Sequence, residues 1–268
     1  MSVSLSDLPE IVLKTIFEKC GLRSVFIFRK VSHGFRSFID DVKPSTSINR
    51  IEIIVDNDSI ILRITSCSEQ YHIKYQKQEH GCSVSNTGFL YKPWPQKSVE
   101  PPPTPELKES QKFIQGTEDF VEMFLEDLKT ILTLQTSVLI EFRINLDCMR
   151  NRMFNTRGTP RPPTRSFIKR ENLYPKRPGL EPNDPYVLRV IKNLEQLLKE
   201  QPLLLKTESV SLDVKNHNQI LQVLPYMDPK LLKSINIQNT GYCSDVEFEI
   251  REILQLEQFK NAETIHLN

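Results

Sequence analysis

Four residues of zinc-binding type, Cys67, His72, His80 and Cys82, fall within a stretch of sixteen. A zinc site needs such side chains to converge tetrahedrally. The intervening spacings of four, seven and one match no common zinc motif, and His80 and Cys82, one residue apart on a strand, make an awkward ligand pair. Acid–base chemistry has as little to stand on. Glu126 and Asp127 adjoin, but at helical spacing they fall beside an apolar stripe and read as a solvated face. The chain contains no glycine-rich phosphate loop, no nucleophile elbow and no metallopeptidase helix. The sequence therefore predicts a non-catalytic protein with no cofactor and no metal.

Charge excludes further classes. The 35 lysines and arginines nearly balance the 34 acids, for a net charge of +1. No global field draws the chain to nucleic acid or to a membrane. Cys20, Cys67, Cys82, Cys148 and Cys243 are odd in number and include no C-x-x-C pair, which favours free thiols in a reducing compartment. The N-terminus lacks the basic and apolar regions of a secretion signal. No apolar run approaches the roughly 18 residues that span a bilayer. The expectation is a cytoplasmic or nuclear protein, neither secreted nor membrane-bound.

What remains to explain is apolar surface, and residues 5–41 carry too much of it. Three short helices fit there at about 100° per residue. Ser6 or Asp7 is placed to cap the first, Pro9 suits its first turn, and Gly21 fits the position just past its end near Lys19. Val12, Leu13, Ile16, Phe17 and Cys20 share one arc, while Leu8 and Ile11 fall away from it. The second helix, residues 23–31, carries Val25, Phe26, Ile27, Phe28 and Val31 almost all round. A helix apolar on every side must be covered on every side. Ser32 caps a third helix with Phe35, Phe38 and Ile39 in one stripe. Either the rest of the chain covers the surplus or a partner does.

Leu8-Pro9, Val12-Leu13-x-x-Ile16-Phe17, Arg29-Lys30-Val31-Ser32, Phe35-Arg36 and Phe38-Ile39-Asp40 together resemble the F-box of the nematode F-box A family. Two positions depart from it: Glu10 follows Pro9 directly, and Phe28 stands where the family has leucine. The resemblance implies binding to a Skp-type adaptor, which links an F-box to a cullin–RING ubiquitin ligase. It implies Leu8, Pro9, Ile11, Leu13, Phe17, Val25, Phe28, Val31 and Phe35 as adaptor-binding residues.

The remaining elements follow from periodicity. Residues 51–55, 60–64, 71–75 and 82–84 read as strands of a meander. Residues 92–107 hold six prolines, which forbid regular helix or central strand, so 92–111 reads as a linker. Thr117 caps a helix to Leu134 with an apolar stripe from Phe120 to Leu132. In the strand at 138–146, Ile140, Phe142, Ile144 and Leu146 share a face. Residues 150–186 set nine basic residues against three acids, with seven prolines, and read as a loosely ordered basic insertion. Helices at 186–201, at 219–227 and from Ser244 or Asp245 to Phe259 then alternate with strands near 211, 236 and 265. Such recurrence is the signature of a βα solenoid.

This half is similar to the FTH domain that follows the F-box in the same family. The matching residues are Asp127-Leu128-x-x-Ile131-Leu132 before Leu139-x-x-Phe142-x-Ile144; Ile220-x-x-x-Leu224-Pro225-Tyr226-Met227-x-Pro229 before Leu232-x-x-Ile235; and Leu256-Glu-Gln-Phe-Lys-Asn-Ala262, with Phe259 in place of a tryptophan. Family members continue for several elements past the position of Asn268, so the resemblance implies a C-terminally truncated repeat domain. The expected architecture is mixed, α+β with an α/β part. It comprises a three-helix F-box over 2–43, a short β-meander over 48–91, the proline-rich linker over 92–111, and an incomplete α/β solenoid of leucine-rich-repeat type over 112–268 with the basic insertion 150–186.

The implied function is that of substrate-recognition subunit of a Skp–cullin–F-box ubiquitin ligase. The F-box would bind the adaptor, and the concave strand face of the FTH repeats would bind a target protein for ubiquitin-dependent degradation. No residues mark the target site. A second reading is a ligase-independent protein- or RNA-binding module acting through the repeats and the basic loop 150–186. That loop lacks an array of stacking aromatics, and the chain holds no folded nucleic-acid motif, so nucleic acid is not an expected partner of the first reading.

Overall fold

A computed structural model describes residues 8–44, 47–56, 58–67, 69–79, 81–90, 109–115, 119–146, 185–239 and 250–267. The chain opens with three ten-residue helices, α1 (Glu10–Lys19), α2 (Leu22–Val31) and α3 (His33–Val42). Ser32 caps α3 as its sequence position predicts, its Oγ accepting from the Phe35 N–H at 3.5 Å. Lys43 ends α3 in the left-handed conformation, φ 47°, and Pro44 cannot continue it. Gly21 is not the left-handed cap expected after α1. It is extended, φ −66°, and precedes α2. A Cβ at Gly21 would meet the Glu69 carboxylate, so a larger residue there requires that side chain to move. Ser6 and Asp7, the expected caps of α1, lie outside the described residues.

Among the described residues nine strands form one sheet in the order β5-β4-β3-β2-β1-β6-β7-β8-β9. They are β1 (Ile48–Val55), β2 (Ser59–Ser66), β3 (Glu69–Gln78), β4 (Gly81–Leu90), β5 (Glu109–Gln115), β6 (Glu141–Asn145), β7 (Ser209–Val214), β8 (Ser234–Asn239) and β9 (Thr264–Leu267). β1 is the seam. It pairs antiparallel with β2, Ile53 opposite Leu62, and parallel with β6, Ile53 opposite Ile144. The meander and the later repeats thus share one mixed sheet. β5 begins at Glu109, so the last three residues of the expected linker are strand, paired to β4 with Ser85 opposite Gln111.

One sheet face is covered by α4 (Phe120–Leu134) and α5 (Pro185–Lys199). Phe120, Val121, Phe124, Leu128, Ile131 and Leu132 of α4 are buried, as are Val187, Val190, Ile191, Leu194, Leu197 and Leu198 of α5, matching the periodic stripes. Each fully buried side chain of this size contributes about 1.5–3 kcal/mol of transfer free energy. Asp119 rather than Thr117 caps α4, its Oδ1 accepting from the Val121 N–H at 2.8 Å, and Arg189 pairs with the same carboxylate to tie α5 to α4. Asp127 is not the solvated acid expected of its helix position. It accepts a 2.6 Å hydrogen bond from the Tyr75 hydroxyl, and burial followed by the Asp127 charge pushes Tyr75 well above the ordinary tyrosine pKa.

The later elements are shorter than expected. Residues 217–226 split into α6 (His217–Leu221) and a 3-10 turn at Leu224–Tyr226. The last helix divides into α7 (Ile250–Ile253) and α8 (Glu257–Asn261), with the expected caps Ser244 and Asp245 outside the described residues. Ile140 departs from its predicted face. It is 55% exposed because a bend precedes β6, so Leu139 turns inward instead and its N–H bonds Lys206 O at 2.9 Å. The basic insertion falls outside the described residues up to position 184.

Candidate adaptor-binding surface

Phe17 sits at the centre of the three-helix unit, fully buried. The rings of Phe28, Phe35 and Phe38 surround it at centroid distances of 5.2, 5.9 and 5.7 Å. Leu13, Val25 and Ile39 complete the cluster, and Leu134 at the end of α4 joins it from the sheet body. Leu13, Phe17 and Val25 therefore hold the helices together and present no surface. All three were expected among the docking residues, and in this chain they are buried. Leu8, Phe28 and Phe35 are half-buried against the same cluster.

The apolar surplus of α2 has a divided fate. Leu22 joins the main core, and Phe26 packs against both clusters, so the sheet body covers that side of the helix. Arg29 reinforces the junction, with Nε on Asp40 at 2.8 Å and Nη1 on Thr130 of α4 at 3.3 Å. Tyr71 lies near the start of α2, its pKa raised by burial and by the Glu69 carboxylate. The outer side stays uncovered. Val31 is 67% exposed and Ile11 of α1 is 75% exposed, with Pro9 and Val12 also at the surface, whereas Ile27 lines a crevice shared with Tyr71 and Ile131. Val12 was not expected at the surface. Val12 lies at the edge of the α1 arc, a place where periodicity alone does not decide burial.

The opposite sheet face carries a polar row. His72, Arg63, Glu52, Arg143, Ser211, Asn236 and His266 stand in register on β3, β2, β1, β6, β7, β8 and β9. Arg63 meets Glu52 at 3.1 Å, Arg143 meets Asp213 at 2.9 Å, and Arg50 meets Glu141 at 2.8 Å. Each arginine of this face thus has an acid beside it. The row also separates two of the zinc-type residues. His72 belongs to this face, whereas Cys82 is buried in the core beneath α4, where its Sγ lies 3.1 Å from Met123 Sδ. The two cannot meet at one ion through the sheet, and His80 lies outside the described residues.

Among the described residues no helix is long and apolar enough to cross a membrane. Neither a curated protein nor a solved structure matched the chain. Family comparison matches residues 5–46 to the F-box domain, the span of α1 to α3, and residues 188–268 to the FTH domain, the span from α5 to β9. The buried aromatic centre, the Ser32 cap and the residual outer face of α1 and α2 lie within the first match, and the parallel strands β7 to β9 within the second: the chain carries an F-box domain followed by an FTH domain.

Proposed function

We propose that this chain is the non-catalytic substrate-recognition subunit of a Skp–cullin–F-box ubiquitin ligase. An F-box domain points in general to a substrate-adaptor role in such ligases. The observation that carries the reading is the exposure of Ile11 and Val31 on the helical unit, two large apolar side chains that the rest of the chain leaves uncovered. Pro9, Ile11 and Val31, flanked by half-buried Leu8, Phe28 and Phe35, would receive the Skp-type adaptor. Leu13, Phe17 and Val25 would act beneath them by fixing the helices. Interfaces of this kind are apolar at the centre, and a few anchors carry most of the energy.

The parallel half, β1-β6-β7-β8-β9, reads as a solenoid of leucine-rich-repeat type that would carry the target protein. The bonds of Arg29 to Asp40 and Thr130 support a fixed angle between adaptor and target, which ubiquitin transfer by a separate subunit requires. The setting would be the cytoplasm or nucleus. The test is co-expression with a Skp-type adaptor followed by size exclusion. A one-to-one complex is the expected result, and no complex from a chain with intact helical circular dichroism would sink the reading.

A further inference from the structure

A groove of about 330 Å³ opens where the C-terminal ends of α4 and α5 meet the segments leading into β6 and β7. Its lining includes Leu132, Leu198, Leu203, Leu204 and two lysines, Lys43 and Lys206, and it includes no acid. Leu203 is 70% exposed. Val138 and Ile140 extend the apolar surface on the neighbouring segment, which the Leu139 N–H to Lys206 O bond holds against residues 202–206. Among the described residues outside the helical unit, eight large apolar side chains are exposed, and four of them, Val138, Ile140, Leu203 and Leu204, gather here.

The charge of the groove has a definite sign. Each helix C-terminus carries about half a negative charge, so the ends of α4 and α5 offset about one of the two lysine charges. Those ends are already capped without the lysines. The Gln135 N–H bonds Leu132 O, and Gln201 bonds Leu197 O and Leu198 O. Glu200, near the end of α5, pairs with Lys129 at 4.0 Å, and Glu208 pairs with Lys233 at 3.1 Å. The groove therefore mixes leucines with neutral polar side chains, and the charged side chains of its lining are the two lysines. Its volume is that of about ten water molecules, room for one or two leucine-sized side chains.

We propose that this groove is the target-docking site, and that its occupant is a short linear segment of a partner protein with leucine-type side chains flanked by acidic residues. The proposal rests on the substrate-receptor reading and places the target away from the polar strand face, whose arginines already have acids beside them. The apolar side chains enter the groove, and the flanking carboxylates meet Lys43 and Lys206.

The experiment is fluorescence anisotropy of the full chain with three labelled hexapeptides: Asp-Glu-Leu-Leu-Glu-Asp, its version with serines for leucines, and its version with lysines for acids. The first is expected to bind at least tenfold more tightly than either of the others. The double variant Lys43→Glu/Lys206→Glu and the double variant Leu203→Ser/Leu204→Ser should each weaken it about tenfold, with thermal unfolding unchanged because Lys43, Lys206, Leu203 and Leu204 are exposed. Equal affinity for the serine peptide, indifference to the lysine reversals, or no binding of any peptide at millimolar concentration would overturn the proposal. Adaptor co-purification of the lysine variant is measured alongside. Its retention with peptide binding lost separates a failure at this groove from a failure of the receptor reading.

Discussion

Arg143 of β6 donates to Asp213 of β7 at 2.9 Å, and Asp213 is only 1% exposed. The same guanidinium lies 3.7 Å from Glu52 of β1, so one side chain ties the antiparallel half of the sheet to the parallel half. Burial lowers the Arg143 pKa, but the bond to Asp213 and the charges of Glu52 and Glu141 outweigh it, so the guanidinium sits above its ordinary value. The pair is asymmetric, because Arg143 is 35% exposed while Asp213 is sealed. Asp213 Oδ1 has no hydrogen-bond partner to compensate if the arginine leaves. Arg143→Met is therefore expected to cost about 3 kcal/mol, the low end for stranding a buried charge. Asp213→Asn keeps an acceptor and should cost about 1 kcal/mol. Urea titration of both variants checks the order; an equal or reversed order would contradict it.

Outer and inner residues of the helical unit should separate cleanly. Ile11→Asp and Val31→Asp are expected to weaken adaptor binding at least tenfold and leave the unfolding midpoint within about 2 °C, because both side chains already face water. Phe17→Ala removes the centre of an aromatic cluster and should cost about 3–5 kcal/mol of stability. Calorimetry beside a pull-down distinguishes the two. Loss of folding in the aspartate variants would show that the exposed face is structural.

His72 makes stability depend on pH. Burial and then the Arg63 charge lower its pKa from 6.5, with Glu52 opposing. The folded state therefore prefers the neutral ring, while the unfolded chain protonates near pH 6.5. The contribution of His72 is complete above that pH and is lost progressively as pH falls through about 6.5 towards the folded value. Wild type should lose stability more steeply than His72→Gln between pH 7 and pH 5, by up to about 1.4 kcal/mol per pH unit. Parallel slopes in denaturant titrations at the two pH values would refute this.

Gly21 and Glu69 should be energetically coupled. A methyl at Gly21 must push the Glu69 carboxylate aside, and Glu69 stands beside Tyr71. Gly21→Ala is expected to cost about 1 kcal/mol, and most of that cost should vanish in the Glu69→Ala background. A double-mutant cycle measures the coupling, and simple additivity would show that the glycine is tolerant.

The sequence was most informative where a periodic stripe has a single destination. The stripes of α4 and α5 are buried as their spacing predicts, because a helix apolar on one side has only the sheet to rest on. The Ser32 cap was legible for a similar reason, since its partner lies three residues away. Asp127 was not legible. Its partner Tyr75 is 52 residues distant, and helical spacing cannot see a hydroxyl on strand β3.

The same division runs through the candidate site. Sequence alone determined that the first three helices carry more apolar surface than they can enclose, and that a run of strands and helices follows. Only the tertiary structure decided which part of the surplus is covered. Phe26 is taken up by the sheet body and Val25 by the helical core, while Val31 is left to solvent, and these residues lie within one ten-residue helix. Periodicity gives the angle of a side chain about its helix axis, whereas burial depends on what packs against that angle. For α2 the packing partners are α4 and the sheet, which arrive through strand pairings that join β1 to β6 across 85 intervening residues, between Val55 and Glu141 — long-range contacts that no local pattern encodes.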